Sequence, residues 1–439
     1  MFSFFEENVV NRNSVTPPQP SHLMQKIITA ATSVSDKGTV PQDQMLTYID
    51  HTKIEIVDGS ESVFDLIVRE IKKAKKQILI QAFSWIPSTQ IVQDIRKALS
   101  ELKEEVEVFL LVDQLDRIAR MFYLGEIPPH KSEHDPASLG LDNLPANIKL
   151  HIGTLTHNSM AANHNKAIWI DGKLIMTGAN LQPENYGSDR FHDAGMFIPQ
   201  GINAVYYDFI SMWEQRTNKS ENSDVTPTSL EFKPDLSITS CAVVHVANTL
   251  RAKPAVLPFY QASLPADPLN NAYLAAINNA TNVIRIAVPN LNTPEIVQAL
   301  AEFINKKNGC VQLVLTRGFN DIRETFYGGT NQNTVEQLIY LVDEDKRDNL
   351  QMYWYKNETS TNTPAVNHMK YMEVDNQIVI YGSANLDLIS LHNCHETNII
   401  IDSSEFAQRA TNALFTPIFE RGTKIKINER RSCFPCQCL

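Results

Sequence analysis

Apolar positions in this chain follow two rhythms that alternate along its length. Val63, Leu66, Ile67, Ile71 and Ala74 recur at helical spacing, so Ser62–Lys75 is predicted to be an amphipathic helix. The short apolar run Ile78–Ser84 then reads as a buried strand. Ile91, Val92, Ile95 and Leu99 place another helix from Ser88 onward, and Val106–Asp113 reads as a second strand. The same order returns later: Pro268–Ala280 as helix, Val283–Pro289 as strand, a helix opening at Thr293-Pro294-Glu295, and Val311–Thr316 as strand. Thr at an N-cap with Pro at the first helical position is a good start signal, since Thr can accept from a free backbone N–H and Pro has none to lose.

Both series lead to a shared segment, Asn163-His164-Asn165-Lys166 in one and Asn367-His368-Met369-Lys370 in the other. Ile78 to His164 spans 86 residues and Val283 to His368 spans 85; from Val106 and Val311 the distances are 58 and 57. Spacing kept over a whole domain indicates a duplicated unit. The predicted architecture is α/β: two pseudo-symmetric halves, 50–216 and 255–420, each a mixed sheet flanked by helices, with one active site between them. Residues 217–254, polar over Thr217–Ser240, read as linker and connecting segment. Residues 1–49, with Pro17-Pro18-Gln19-Pro20, read as a partly disordered leader carrying a short helix around Leu23–Ala31.

The chain has 439 residues, 39 Lys+Arg and 50 Asp+Glu, for a net charge of −11. An acidic balance argues against a nucleic-acid partner, though not against a small basic pocket for one phosphate. At 43% hydrophobic residues, global disorder is excluded. No apolar run approaches the roughly 20 residues that span a bilayer, and Met1–Asn8 lacks the basic start and long apolar stretch of a signal peptide. Cys241, Cys310 and Cys394 are scattered without metal-ligand spacing, while Cys433, Cys436 and Cys438 crowd the last seven residues. That distribution is not a disulfide scaffold.

The repeated segment has chemical content. Each copy continues at matched offsets, His164-x-Lys166-x4-Asp171-x6-Gly178-Ala179-Asn180 and His368-x-Lys370-x4-Asp375-x6-Gly382-Ser383-Ala384-Asn385. Alternation puts His and Lys on one face of a strand. A histidine beside a cation suits an anion: Lys supplies a compact charge, His a nucleophile or a proton. The small turn lets backbone approach, and Asn180, Ser383 and Asn385 add groups for phosphate.

The doubled motif resembles that of the phospholipase D superfamily, and the resemblance covers nearly all of residues 50–420. It implies that one histidine attacks phosphorus and forms a phosphohistidine, while the other protonates the leaving alcohol and then activates the acceptor, with no metal or other cofactor. The family's usual order makes His164 the nucleophile and His368 the acid/base; sequence alone leaves the reverse assignment open. A carboxylate is expected to hold each ring. Glu396 lies 28 residues after His368 and Asp193 lies 29 after His164, each just before an apolar run, and they are the candidates. Asp171 and Asp375 join the catalytic set as supports for the following turn. Gly178-Ala179-Asn180-Leu181, with Tyr186 and Asp189-Arg190-Phe191, is similar to the phosphatidylglycerophosphate and phosphatidylserine synthase branch. The expected reaction is hydrolysis of glycerophospholipids to phosphatidic acid. Phosphatidyl transfer is the alternative, followed by nuclease activity and a non-catalytic lipid-binding adaptor. His151, His157, His192, His392 and His395 read as rim or structural residues; Phe83 and Trp85 read as core or as the lip of a lipid site.

The tail 421–439 carries Arg421, Lys424, Lys426, Arg430 and Arg431 against Glu429. At about 1 kcal/mol per basic residue it supplies roughly 4 kcal/mol at an anionic leaflet. Cys436 stands four from the end, as in a prenylation box, and Cys433 could take a palmitoyl group. Together these features resemble an effector phospholipase D that an intracellular bacterium delivers into its host. That resemblance implies a host prenyltransferase as partner and a place at the cytosolic leaflet of host membranes.

Overall fold

The computed structural model describes residues 16–115, 135–157, 161–182, 191–216, 225–229, 236–251, 263–317, 329–356 and 366–427. In the first half, β3 (Gln77–Ala82), β4 (Val106–Leu115) and β5 (Ile148–His157) run parallel. Antiparallel strands β6 (Ala167–Ile170), β7 (Lys173–Thr177), β9 (Ala194–Ile198) and β2 (Glu55–Asp58) complete a seven-stranded sheet of order β2-β9-β7-β6-β3-β4-β5. The second half repeats the plan. β11 (Val283–Val288), β12 (Cys310–Leu315) and β13 (Leu350–Trp354) are parallel; β15 (Tyr371–Val374), β16 (Ile378–Gly382), β17 (Thr397–Asp402) and β10 (Ser240–Ala247) are antiparallel. With β1 (Leu46–Asp50) at one edge and β18 (Thr423–Lys424) at the other, this sheet has nine strands. Each half is therefore a mixed sheet flanked by helices, as its sequence periodicity predicts.

Burial follows the alternation along each strand. On the first sheet, Ile78, Ile80, Val106, Val108, Leu110, Ile168 and Ile175 face helices α2 (Ser60–Ile71) and α3 (Gln90–Ser100). The alternate set, Leu79, Phe109, Leu111, Trp169 and Met176, meets Phe209 and Trp213 of helix Asn203–Glu214 and runs into the core of the second half. The two halves thus share one apolar interior. No described helix is long and apolar enough to cross a membrane.

Three local readings change. The described part of the leader is not loose. Helix α1 (His22–Thr32) buries Met24, Ile27 and Ala31, Ser21 N–H donates to Asp402 Oδ2 at 2.6 Å, and β1 pairs with β10. The stretch 217–254 is not only a connector: all eight residues of β10 are buried between β1 and β17, because Ser240–Ala247 is a near-continuous apolar run suited to a strand covered on both faces. Thr293 is the N-cap, but its hydroxyl donates to Leu386 O at 3.0 Å and makes no cap bond. The tail cysteines Cys433 and Cys436 lie outside the described residues.

The motif aspartates occupy matched hairpin turns. Asp171 and Gly172, with φ of 48° and 92°, make a two-residue loop between the paired Ile170 and Lys173; Asp375 and Asn376, with φ of 57° and 54°, open a loop one residue longer between Val374 and Ile378. Asp171 accepts from the backbone N–H groups of Lys75, Lys76 and Gln77 at 2.6–3.0 Å. Asp375 accepts from those of Thr281, Asn282 and Val283 at 2.7–3.0 Å and from the Thr281 hydroxyl at 2.9 Å. Each aspartate pins the start of the central strand to the hairpin. Asp375→Ala removes these bonds, most of them at exposed donors that water can satisfy, and is expected to cost about 1–2 kcal/mol. Urea unfolding checks it; a loss under about 0.5 kcal/mol would count against the brace.

Candidate active site

Two short cross-connections bring the motif segments together. Val366–Asn367 pairs in parallel with Phe191–His192, and Asn163 bridges His395 in the same sense. His368 N–H donates to His192 O at 2.8 Å, and His164 N–H donates to His395 O at 2.9 Å. Each catalytic candidate is thereby tied to the residue just before the carboxylate of the opposite half. The rings follow: His164 Nδ1 lies 2.8 Å from Glu396 Oε1, and His368 Nδ1 lies 3.1 and 3.2 Å from the two oxygens of Asp193. The pairing is crossed, so each half supplies the other's carboxylate. With Nδ1–H given to a carboxylate, Nε2 is the nitrogen that each ring turns away from its carboxylate.

The lysines stand beside their own histidines. Lys166 Nζ donates to His164 O at 2.7 Å, and Lys370 Nζ donates to His368 O at 2.5 Å and lies 3.0–3.1 Å from both ring nitrogens of His368. Lys166 and Lys370 are 3% and 1% exposed, and both carboxylates are fully buried. Ser383 and Ser390 hydroxyls donate to Glu396 at 2.6 and 2.5 Å. Aromatic rings wall the histidines: Phe83 meets His164 edge-on at 4.7 Å between centroids, and Phe191 stacks on His368 at 5.1 Å. Gly178 is required by close approach, since a Cβ there would overlap the Asp193 carboxylate.

Six predicted site residues therefore converge: His164, Lys166, Asp193, His368, Lys370 and Glu396. Asp171 and Asp375 do not. They lie at the far end of the hairpin strands, five residues beyond the lysines, about 16 Å of extended chain. Ser383, expected at the phosphate, instead holds Glu396. Asn180 and Asn385 keep side-chain oxygens without partners, and Asn180 lines a small cavity together with Lys166 and Phe83. Trp85 belongs to the core, its Nε1–H donating to Leu139 O at 2.9 Å, whereas Phe83 lines the site. Ser390 is absent from the sequence reading, and Phe191 enters it only within Asp189-Arg190-Phe191, not as a wall of the site. Phe191 directly precedes His192-Asp193; Ser390 carries no sequence signal that separates it from other serines.

The profile of the family described as cardiolipin synthase, PLD-like domain, matches residues 67–213 and 273–415, one match per half. This chain belongs to that phospholipase D-like family. Cardiolipin synthase A of Pseudomonas putida is 23% identical over 413 residues, 89% of this chain and 73% of that one. Cardiolipin synthase of Clostridium perfringens is 23% identical over 385 residues, 84% of this chain and 71% of that one. The crystal structure of phosphatidylserine synthase from Haemophilus influenzae superimposes with a TM-score of 0.60 at 12% identity, over 92% of each chain, a likeness of fold. The protein is an enzyme of the phospholipase D superfamily, of its phosphodiesterase and phosphatidyltransferase kind.

Electrostatics in this phospholipase D-like site favour an incoming anion. Burial and Lys370 push Lys166 down to about 7, and burial brings Lys370 to about 8 despite Asp193 and Glu396. Burial and then the two lysines hold His164 well below its ordinary value, and burial with Lys370 takes His368 to about 4. Asp193, which burial alone would raise, is held below the usual carboxylate range by His368 and the lysines. Glu396 is raised to about 7 by burial, offset in part by Lys166 and the two serines. Crowded cations are thus the costly feature of the site, and an anion between them would offset that cost. A lowered lysine is charged below its pKa and neutral above it, so anion affinity should be full below about 7 and fade as pH rises through 7 to 8. Diethyl phosphate, a monoanion throughout, is expected to bind at least about tenfold more weakly at about pH 9 than at about pH 6. Calorimetric titration measures this; pH-independent affinity would remove the lysines from the anion site.

Proposed function

We propose that the protein transfers the phosphatidyl group of a glycerophospholipid to an alcohol through a covalent phosphohistidine. The crossed pair of histidine–carboxylate dyads, with both lysines between them, is the observation that carries this reading. One ring must attack while the other handles the proton, and the two dyads are unequal in a way that supports a division of labour. His368 faces an ionised Asp193, the partner that favours an imidazolium. His164 stays neutral, since burial and the nearby cations oppose its protonation.

In the first step His164 Nε2 attacks phosphorus, the bond from phosphorus to the head-group oxygen breaks, and His368 Nε2–H gives that oxygen its proton. The anionic substrate offsets the lysines that keep His368 neutral in the empty site, so the proton can be held once substrate is bound. In the second step His368 takes the proton of the acceptor hydroxyl, the new oxygen–phosphorus bond forms, and the bond from phosphorus to His164 breaks. Lys166 and Lys370 hold the non-bridging oxygens as charge builds on them. Alcohol as acceptor is supported by the cardiolipin synthases that align over most of the chain. Water as acceptor, which gives phosphatidic acid, is the second reading.

The test is mixed phospholipid vesicles with and without glycerol, with products followed by mass spectrometry. Phosphatidylglycerol formed in preference to phosphatidic acid supports transfer, and the reverse ratio moves the assignment to hydrolysis. His164→Ala and His368→Ala are each expected to lose at least about 10³-fold in turnover. Substrate radiolabelled in its phosphate should leave acid-labile label on the wild type and none on His164→Ala. Full activity in either variant would sink the mechanism.

For the tail, we extend the proposal to lipid attachment at Cys436, supported by Cys433 and the basic run before it, in a host cytosol. In eukaryotic cells the full chain is expected in the membrane fraction and Cys436→Ser in the soluble fraction. Equal partition of the two would end that reading.

A further inference from the structure

Behind the His164–Glu396 pair lies a second buried ion pair that also joins the halves. Asp208, on helix Asn203–Glu214, and His395 are both fully buried, with His395 Nε2 3.3 Å from the Asp208 carboxylate. His395 Nδ1 lies 2.6 Å from the carbonyl of Asn248. Both ring nitrogens thus face acceptors, which only the doubly protonated imidazolium can satisfy. The remaining capacity of Asp208 is taken up by Asn165, whose Nδ2 donates to Oδ2 at 3.2 Å, and by the hydroxyl of Thr39.

Asn165 is the residue between His164 and Lys166. His395 is the residue before Glu396, and its backbone exchanges hydrogen bonds with Ala162 and His164. One carboxylate therefore grips both chain segments that make up the first dyad. Among the described residues the other dyad has no such device. Met369, between His368 and Lys370, is buried and apolar, and His192, before Asp193, pairs outward with Asp58 at 3.0 Å.

We propose that Asp208 is a positioning residue for phosphatidyl transfer, setting His164 against Glu396 through Asn165 on one side and His395 on the other. This rests on the function proposed above only for its kinetic readout. The charged and titratable groups that face His395 are Asp208, His245 of β10 and Glu396 on its own segment; Thr39, Asn165 and Asn248 complete the shell as neutral groups. Burial lowers His245 to about 4, so it is neutral at physiological pH and leaves Asp208 as the counter-ion. Burial opposes the charge on His395, and Asp208 more than offsets it, holding the imidazole above its ordinary value.

Asp208→Asn keeps the shape and an acceptor for Asn165 while removing the charge. It is expected to lower kcat about 10–100-fold with KM within about twofold, because a displaced nucleophile weakens chemistry more than capture. The second readout does not need turnover. In protein labelled with 15N-histidine, the Nδ1 proton of His164, assigned by its absence in His164→Gln, should shift or broaden in Asp208→Asn. Asn165→Ala is expected to do the same with a smaller loss of kcat, about 5–20-fold, and carries the test if Asp208→Asn does not fold. A folded variant with an unmoved His164 signal overturns the proposal, as does a raised KM at unchanged kcat. If the wild type turns over no phospholipid but the His164 signal moves in Asp208→Asn, the function fails and the brace stands.

Discussion

Each motif histidine takes its carboxylate from the other half of the molecule, and the rest of the structure is arranged around that exchange. Neither half can orient its own ring: Asp193 follows His164 in the chain but serves His368, and Glu396 follows His368 but serves His164. The halves must therefore be held in one register to a fraction of an ångström. The continuous apolar interior does most of this, and several polar ties finish it. Tyr381 Oη donates to Ala194 O at 2.5 Å, beside Asp193, and Arg409 reaches the carbonyls of His51 and Ile54 at 3.1 and 2.8 Å. The placement of β1 in the second sheet and β2 in the first has the same consequence, since the chain laces the sheets together within ten residues.

Burying two lysines and two histidines together is costly, and two carboxylates only partly offset it. The imbalance is left where a phosphodiester would arrive. Depressed lysines and neutral histidines make a site whose protonation an anion would favour, which ties the proposed capture of substrate to its activation. The two dyads also differ. The hydroxyls of Ser383 and Ser390 converge on Glu396, while Asp193 is held ionised by His368, which also hydrogen-bonds it, and by the two lysines. That inequality, in a duplicated and nearly symmetric scaffold, supports the proposed division between nucleophile and acid.

The sequence by itself determined the duplication, the mixed sheets, and the residues whose chemistry matters, because apolar period and residue spacing are local properties that survive in one dimension. It named Glu396 and Asp193 from their matched positions. It also held the hairpin signal at Asp171-Gly172, which read correctly would have assigned the motif aspartates to turns. Only the tertiary structure decided which carboxylate meets which ring, that Ser383 holds Glu396, that α1 and β10 belong to the second half, and that Asp208 lies behind the first dyad. Those facts depend on contacts between residues from tens to hundreds of positions apart. Burial, charge balance and hydrogen-bond satisfaction select such contacts only when both sheets are already in place.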